Sequence, residues 1–235
     1  MSHYMVAVIH APIQSVEGLL APYSENLEVE PYLEMTKQEV IDYVKKNYSD
    51  VGELSDEECW KKYVDGWGIE NNLVDKAGNI YTTYNPKSKW DWWSYGGRFS
   101  GKLKRKNTGD YYDELPIKDI DFSADMELYK ESIEWWEDCF ENNLPKEEQP
   151  FRLYRDEYYL NRYKDKETFA KSQATFSTFA VLTPDGEWHE PGQVGWFGVS
   201  SESDEDYMDW VRNYQKKFIE PYMSGFMMSI IDCHI

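Results

Sequence analysis

An α+β fold, with an antiparallel or mixed sheet covered by helices, is what this sequence predicts. Three observations carry that expectation. A short β-branched run at 5–10 and an apolar run at 226–231 place strands near both ends of the chain. After Ser203, the residues Tyr207, Trp210, Val211, Tyr214 and Phe218 follow i, i+3, i+4, i+7, i+11, one face of a helix packing on a sheet. Between the ends, the order reads strand, helical insertion, strands, helix, strand. A ferredoxin-like core built from the two ends of the chain is one arrangement that fits this order. The chain then reads as a single domain over 1–235, with a mainly helical or irregular insertion at about 33–172.

The elements follow in turn. Residues 5–10 form a buried first strand that stops at Ala11-Pro12. The stretch from Ala21 to Tyr32 holds two prolines and few periodic apolar residues, which predicts an ordered loop. Thr36 with Glu39, and Ser55 with Glu58, are capping boxes. The first starts a helix over about 37–47, and the second starts one that should stop at Gly66. Residues 79–84 read as a strand. Ser123 is a candidate cap for a helix running to about Glu141 with Leu128, Ile133, Trp136 and Phe140. The 145–150 stretch, bounded by Pro145 and Pro150, is the best candidate hinge, and 155–172 reads as helix. Residues 176–182 alternate toward strand, Pro184-Asp185-Gly186 is a turn signal, and Glu187 starts a return strand. Residues 195–200 are a further strand. Ser203 caps the amphipathic helix with acids in its first turn, as the helix dipole favours.

The formal net charge is −19 with a pI near 4.6, a balance that disfavours direct nucleic-acid or anionic-membrane binding. Cys59, Cys139 and Cys233 are far apart and odd in number, which fits a reducing compartment and no disulfide framework. The first ten residues lack the basic start and apolar length of a signal peptide, and no apolar run reaches membrane-spanning length. A cytoplasmic protein is the expectation.

Against this acidic background, residues 87–106 carry seven basic residues and one acid, Asp91, so the segment is +6 and the remainder −25. Gly96 and Gly97 allow a phosphate to approach backbone N–H groups, and Arg98 offers a bidentate fork. Trp90, Trp92 and Trp93 offer stacking faces for a base. In an extended strand Lys89 and Asp91 share one side, with Trp90 and Trp92 on the other. Together with Trp188 and His189 of the return strand, Lys89, Trp90, Asp91, Trp92, Gly96, Gly97 and Arg98 form the candidate ligand site. A core role for the tryptophans and a tight turn for the glycines is the competing explanation. Neither GxxxxGK[ST] nor GxGxxG occurs, so the standard nucleotide loops are excluded and no cofactor is expected.

His3, His10, His189 and His234 are the four histidines. If the terminal strands are neighbours, His10 and His234 would lie close together with Asp232 and Cys233 alongside, a cluster able to hold zinc or supply a general base. No HExxH-type spacing supports a metal, and none is expected. Glu28 and Glu30 share a side if their loop is extended, as paired carboxylates for acid–base work or as a solvated face.

Four blocks carry a resemblance. They run from Ala21 to Tyr32; from Tyr84 to Arg98, with Lys89-Trp90-Asp91-Trp92-Trp93 and Gly96-Gly97-Arg98; from Thr183 to Gly192, Thr-Pro-Asp-Gly-Glu-Trp-His-Glu-Pro-Gly; and Asp232-Cys233-His234-Ile235. Together they resemble a family of uncharacterised proteins from phages and prophages of Gram-positive bacteria. The resemblance covers most of the chain and implies no catalytic role for any residue. It implies a phage-type intracellular setting, where small acidic proteins act on host systems. The region between about Asn47 and Asn79 is shorter than in those relatives, which marks it as an adaptable insertion.

Three functions follow as expectations. The leading one is an anti-defence binding protein that sequesters a phosphorylated, nucleotide-like small molecule. The second is an enzyme acting on a nucleotide or phosphate ester, with Glu28, Glu30, His189 or His234 in acid–base roles. The third is an acidic inhibitor docking on a host nucleic-acid-binding protein. Exposed tryptophans would equally suit a homo-oligomer interface.

Overall fold

The computed structural model describes residues 3–48, 52, 54–193 and 201–235, so the strand expected at 195–200 lies outside the described residues. The chain forms two compact units, Tyr23–Ser88 and the combination of Met1–Pro22 with Lys89–Ile235. These boundaries differ from an insertion at 33–172, and the 145–150 stretch lies within the larger unit.

The larger unit is built on β1 (His3–His10), flanked by a short helix α1 (Val16–Leu20). The smaller unit contains β2 (Tyr32–Met35), α2 (Lys37–Asn47), α3 (Asp56–Trp67) and β3 (Ile80–Thr82), with β2 and β3 antiparallel. Both capping boxes form as the sequence predicts. Helix α3 runs past Gly66 because the left-handed cap that ends it is Gly68, at φ 64°. Val40, Ile41, Val44, Cys59, Val64 and Ile80 make this unit's core.

The larger unit continues with β4 (Trp92–Tyr95), β5 (Leu103–Lys104), β6 (Tyr111–Tyr112), β7 (Glu114–Pro116) and α4 (Met126–Phe140). Asp125 caps α4 through the N–H groups of Glu127 and Leu128, while Ser123 is engaged instead with Asp121. The helix expected over 155–172 is two, α5 (Asp156–Tyr163) and α6 (Lys166–Ala174). Lys164, at φ 69°, breaks the run, and Asp165 caps the second piece. Then come β8 (Ala180–Leu182), β9 (Trp188–His189), α7 (Asp204–Tyr214) with a π turn over Gln215–Ile219, and β10 (Met227–His234).

The main sheet runs β4-β10-β1-β8-β9, with β7 also paired to β10. It is mixed: β1 is antiparallel to β10 and parallel to β8. This order departs from the ferredoxin-like arrangement. That arrangement splits its first parallel pair with another strand, whereas β1 and β8 are direct neighbours. The sequence locates the hairpin but not which of its strands lies against β1.

Both terminal strands extend beyond their apolar runs, and the register pairs His3 with His234 and His10 with Met227. Alternation gives β1 and β10 two faces. On one, Ala7, Ile9, Met228 and Ile230 pack with Trp210, Tyr214 and Phe218 of α7 and its π turn. Tyr207, expected on the same stripe, packs instead against the aromatic cluster of Trp136, Tyr159, Tyr163, Phe169 and Met208. Toward its far end, the face that α7 covers changes from apolar to polar, at Asp232, His234 and His3.

Burial raises the phenol pKa values of Tyr4, Tyr163 and Tyr214 well above the ordinary tyrosine value. A raised pKa favours the neutral form in the folded state. The stability these groups contribute is therefore complete below about pH 10 and is lost as pH rises beyond it. In a near-ultraviolet titration, these tyrosines should ionise only as the protein unfolds. Ionisation of every tyrosine in one ordinary transition, with structure retained, would contradict this assignment.

Candidate functional site

The polar end of the sheet is a row of three cross-strand neighbours. His3 of β1 lies opposite His234 of β10, which lies opposite Trp92 of β4. Partners in register present their side chains on the same face. The ring centroids of His3 and His234 are 5.0 Å apart at 73°, and Trp92 stacks on His234 at 5.2 Å and 16°.

Each imidazole is oriented by its own aspartate. His3 Nδ1 lies 2.8 Å from Asp232 Oδ1, and His234 Nδ1 lies 2.6 Å from Asp91 Oδ1. Asp232 is almost wholly buried, and its other oxygen accepts the backbone N–H of Arg98 at 2.9 Å. Asp91 also accepts the N–H of Trp92 at 2.7 Å. A carboxylate on Nδ1 fixes the ring and leaves Nε2 as its working edge. Neither Nε2 has a hydrogen-bond partner among the described residues. No buried side-chain nitrogen or oxygen lacks one there either, so each Nε2 keeps some contact with solvent, although the His3 and His234 side chains are only 12% and 6% exposed. A purely structural histidine satisfies both nitrogens, as His10 does with Ala11 O and Ser229 Oγ at 3.0 Å each.

The glycine turn serves this arrangement. Gly97 has φ 51°, and a Cβ there would lie 2.4 Å from Asp232 Oδ2. Gly96 has φ 60°, and a Cβ there would lie 2.3 Å from Asp113 Oδ2. The close approach that the sequence assigns to a phosphate is made by these two carboxylates. The turn's N–H groups are spent internally as well: Gly96 on Ile230 O, Arg98 on Asp232, Phe99 on Gly96 O and Gly101 on Asp113.

The other predicted residues divide between two places. Lys89 is ion-paired with Glu190 at 2.6 Å, and Trp188 donates its indole N–H to the same carboxylate at 2.8 Å. Trp90 donates its indole N–H to Leu20 O. Regular strand begins only at Trp92, so the alternation expected over residues 89–92 falls on residues that precede it. His189 packs on Phe218 and lines a cleft of about 810 Å³ with Trp188, Glu205 and Asp209. Arg98 is exposed, and its side chain has no ion pair among the described residues. Within the larger unit the basic residues of the segment are engaged separately: Lys89 pairs with Glu190, Lys104 faces Asp121, and Arg105 lies over the Tyr112 ring.

His10 and His234 are not neighbours. The antiparallel register separates them by seven positions, roughly 23 Å at a strand's rise per residue. His3 takes the place assigned to His10, and the signal for it was the pairing of the chain's two end strands. Burial raises the Cys233 thiol pKa, with the charge of Asp232 adding to it, so the thiol is no nucleophile. Glu28 and Glu30 are exposed in the smaller unit. No group of three or more metal-ligating side chains is found among the described residues, and no described helix is long and apolar enough to cross a membrane.

The fold and site thus define an α+β protein with two carboxylate-oriented imidazoles beside an exposed indole. No family model matches the sequence, and comparison with curated proteins and with solved structures found no match.

Proposed function

We propose that this protein binds a phosphorylated, nucleotide-like small molecule at the His3–His234–Trp92 surface. The observation that carries this reading is the row of His3, His234 and Trp92, in which two largely buried imidazoles keep Nε2 without a partner among the described residues beside an indole that is 44% exposed. One face of the Trp92 ring is taken by His234, and the exposed remainder suits stacking by a base. An imidazolium Nε2–H donates to phosphate oxygens, and Arg98, anchored to Asp232 by its own N–H, adds an unpaired guanidinium. In the intracellular phage setting suggested by the sequence blocks, such binding would withdraw a nucleotide signal from the host.

Calorimetric titration with a panel of nucleotides tests the reading. Trp92→Ala and Arg98→Ala should each weaken binding about 10-fold or more. Arg98 is exposed, so its replacement should leave the melting temperature unchanged, whereas Trp92→Ala also loses the stacking on His234 and should lower it modestly without unfolding the protein. Undiminished affinity in both variants would refute the proposal.

A further inference from the structure

We propose that the same surface is catalytic: His3 and His234 act as a general acid–base pair that hydrolyses a nucleotide phosphodiester. The inference rests on the binding reading above and goes beyond it. Binding alone needs one donor. The structure holds two imidazoles side by side, each fixed at Nδ1 by a separate aspartate and each with Nε2 left without a partner among the described residues. An acid–base reaction needs this duplication, because one ring must accept a proton while the other supplies one.

Nε2 of one imidazole takes a proton from a water molecule, and the water oxygen forms a bond to phosphorus. The P–O bond to the leaving alcohol breaks, and that oxygen takes the proton from Nε2–H of the other imidazole. A phosphate monoester and an alcohol are released. The two rings end with exchanged protonation and reset by proton exchange with solvent. Asp91 and Asp232 are positioning residues that keep Nδ1–H directed inward throughout.

Local charge selects the substrate class. The site sets Arg98 against Asp91 and Asp232, within a chain of net charge −19. A phosphodiester carries a single negative charge, whereas a monoester carries close to two at neutral pH. The diester is therefore the better-tolerated ligand, and the more highly charged product is expelled.

The test uses the whole chain with cyclic AMP, ApA and bis-p-nitrophenyl phosphate, and AMP as the monoester comparison. His3→Asn and His234→Asn are the informative variants, since asparagine keeps an N–H for the aspartate but has no Nε2. The expected result is hydrolysis of at least one diester, with kcat reduced about 100-fold or more in each variant. Affinity for a phosphorothioate analogue should change less than 10-fold. Hydrolysis unaffected by either substitution would overturn the assignment. Diesters bound but returned intact by the unsubstituted protein would overturn catalysis and leave the binding reading standing. No binding of any diester or of AMP would overturn both.

Discussion

Gly97→Ala is expected to destabilise the larger unit by about 2–5 kcal/mol, a large effect for one added methyl group. Two costs combine. At φ 51° an L-residue pays roughly 1–2 kcal/mol for the left-handed conformation. The new Cβ would also fall 2.4 Å from Asp232 Oδ2, 2.6 Å from Asp232 Cβ and 2.7 Å from Ser94 Oγ. Both Asp232 oxygens are held by hydrogen bonds, so relief requires moving a buried carboxylate, an overpacking cost of about 1–3 kcal/mol. Gly101→Ala separates the two terms. Gly101 has φ 73°, but its nearest neighbour would be Tyr111 Cβ at an ordinary 3.6 Å. Urea unfolding should show the backbone cost alone at Gly101 and both costs at Gly97. Equal losses at the two positions would mean that Asp232 is not held against the turn.

Asp232 itself should separate stability from chemistry. Asp232→Ala orphans the His3 Nδ1–H and the Arg98 N–H together, and about 3 kcal/mol should be lost on urea unfolding. Asp232→Asn should cost much less. Its carbonyl oxygen can accept from Arg98, and its amide N–H can donate to His3 Nδ1, provided His3 moves its proton to Nε2. The fold survives and the imidazole is locked in the wrong tautomer. Diester turnover should then fall about 100-fold or more while the unfolding midpoint shifts little. An Asn variant with full turnover would show that the orientation of His3 is not used.

Much of the fold was legible in the sequence because its signals are local. The capping boxes at Thr36 and Ser55, the Ser203 cap and the Pro184-Asp185-Gly186 turn each act within a few residues. The site was legible only in part. Tryptophan density and the glycine pair marked the right segment, yet the glycines accommodate Asp113 and Asp232, and Lys89 is neutralised by Glu190. Nothing near Gly97 in sequence reveals that an acid at 232 will approach it. His3 was harder still. It lies outside the apolar run of its strand, and its partner is fixed by a register between residues 231 positions apart.

That same register sets a timetable for biosynthesis. Strand β1 is made first, and its central neighbour β10 follows some 216 residues after His10. At about 5–20 residues per second, the ribosome needs roughly 10–40 s to deliver it. Throughout that interval one hydrogen-bonding edge of Val6-Ala7-Val8-Ile9 has no native strand to meet, although β8 becomes available on the other side. The smaller unit, assembled from a contiguous stretch, has no such wait. Nascent chains should therefore carry an unpaired apolar strand edge until β10 has been made.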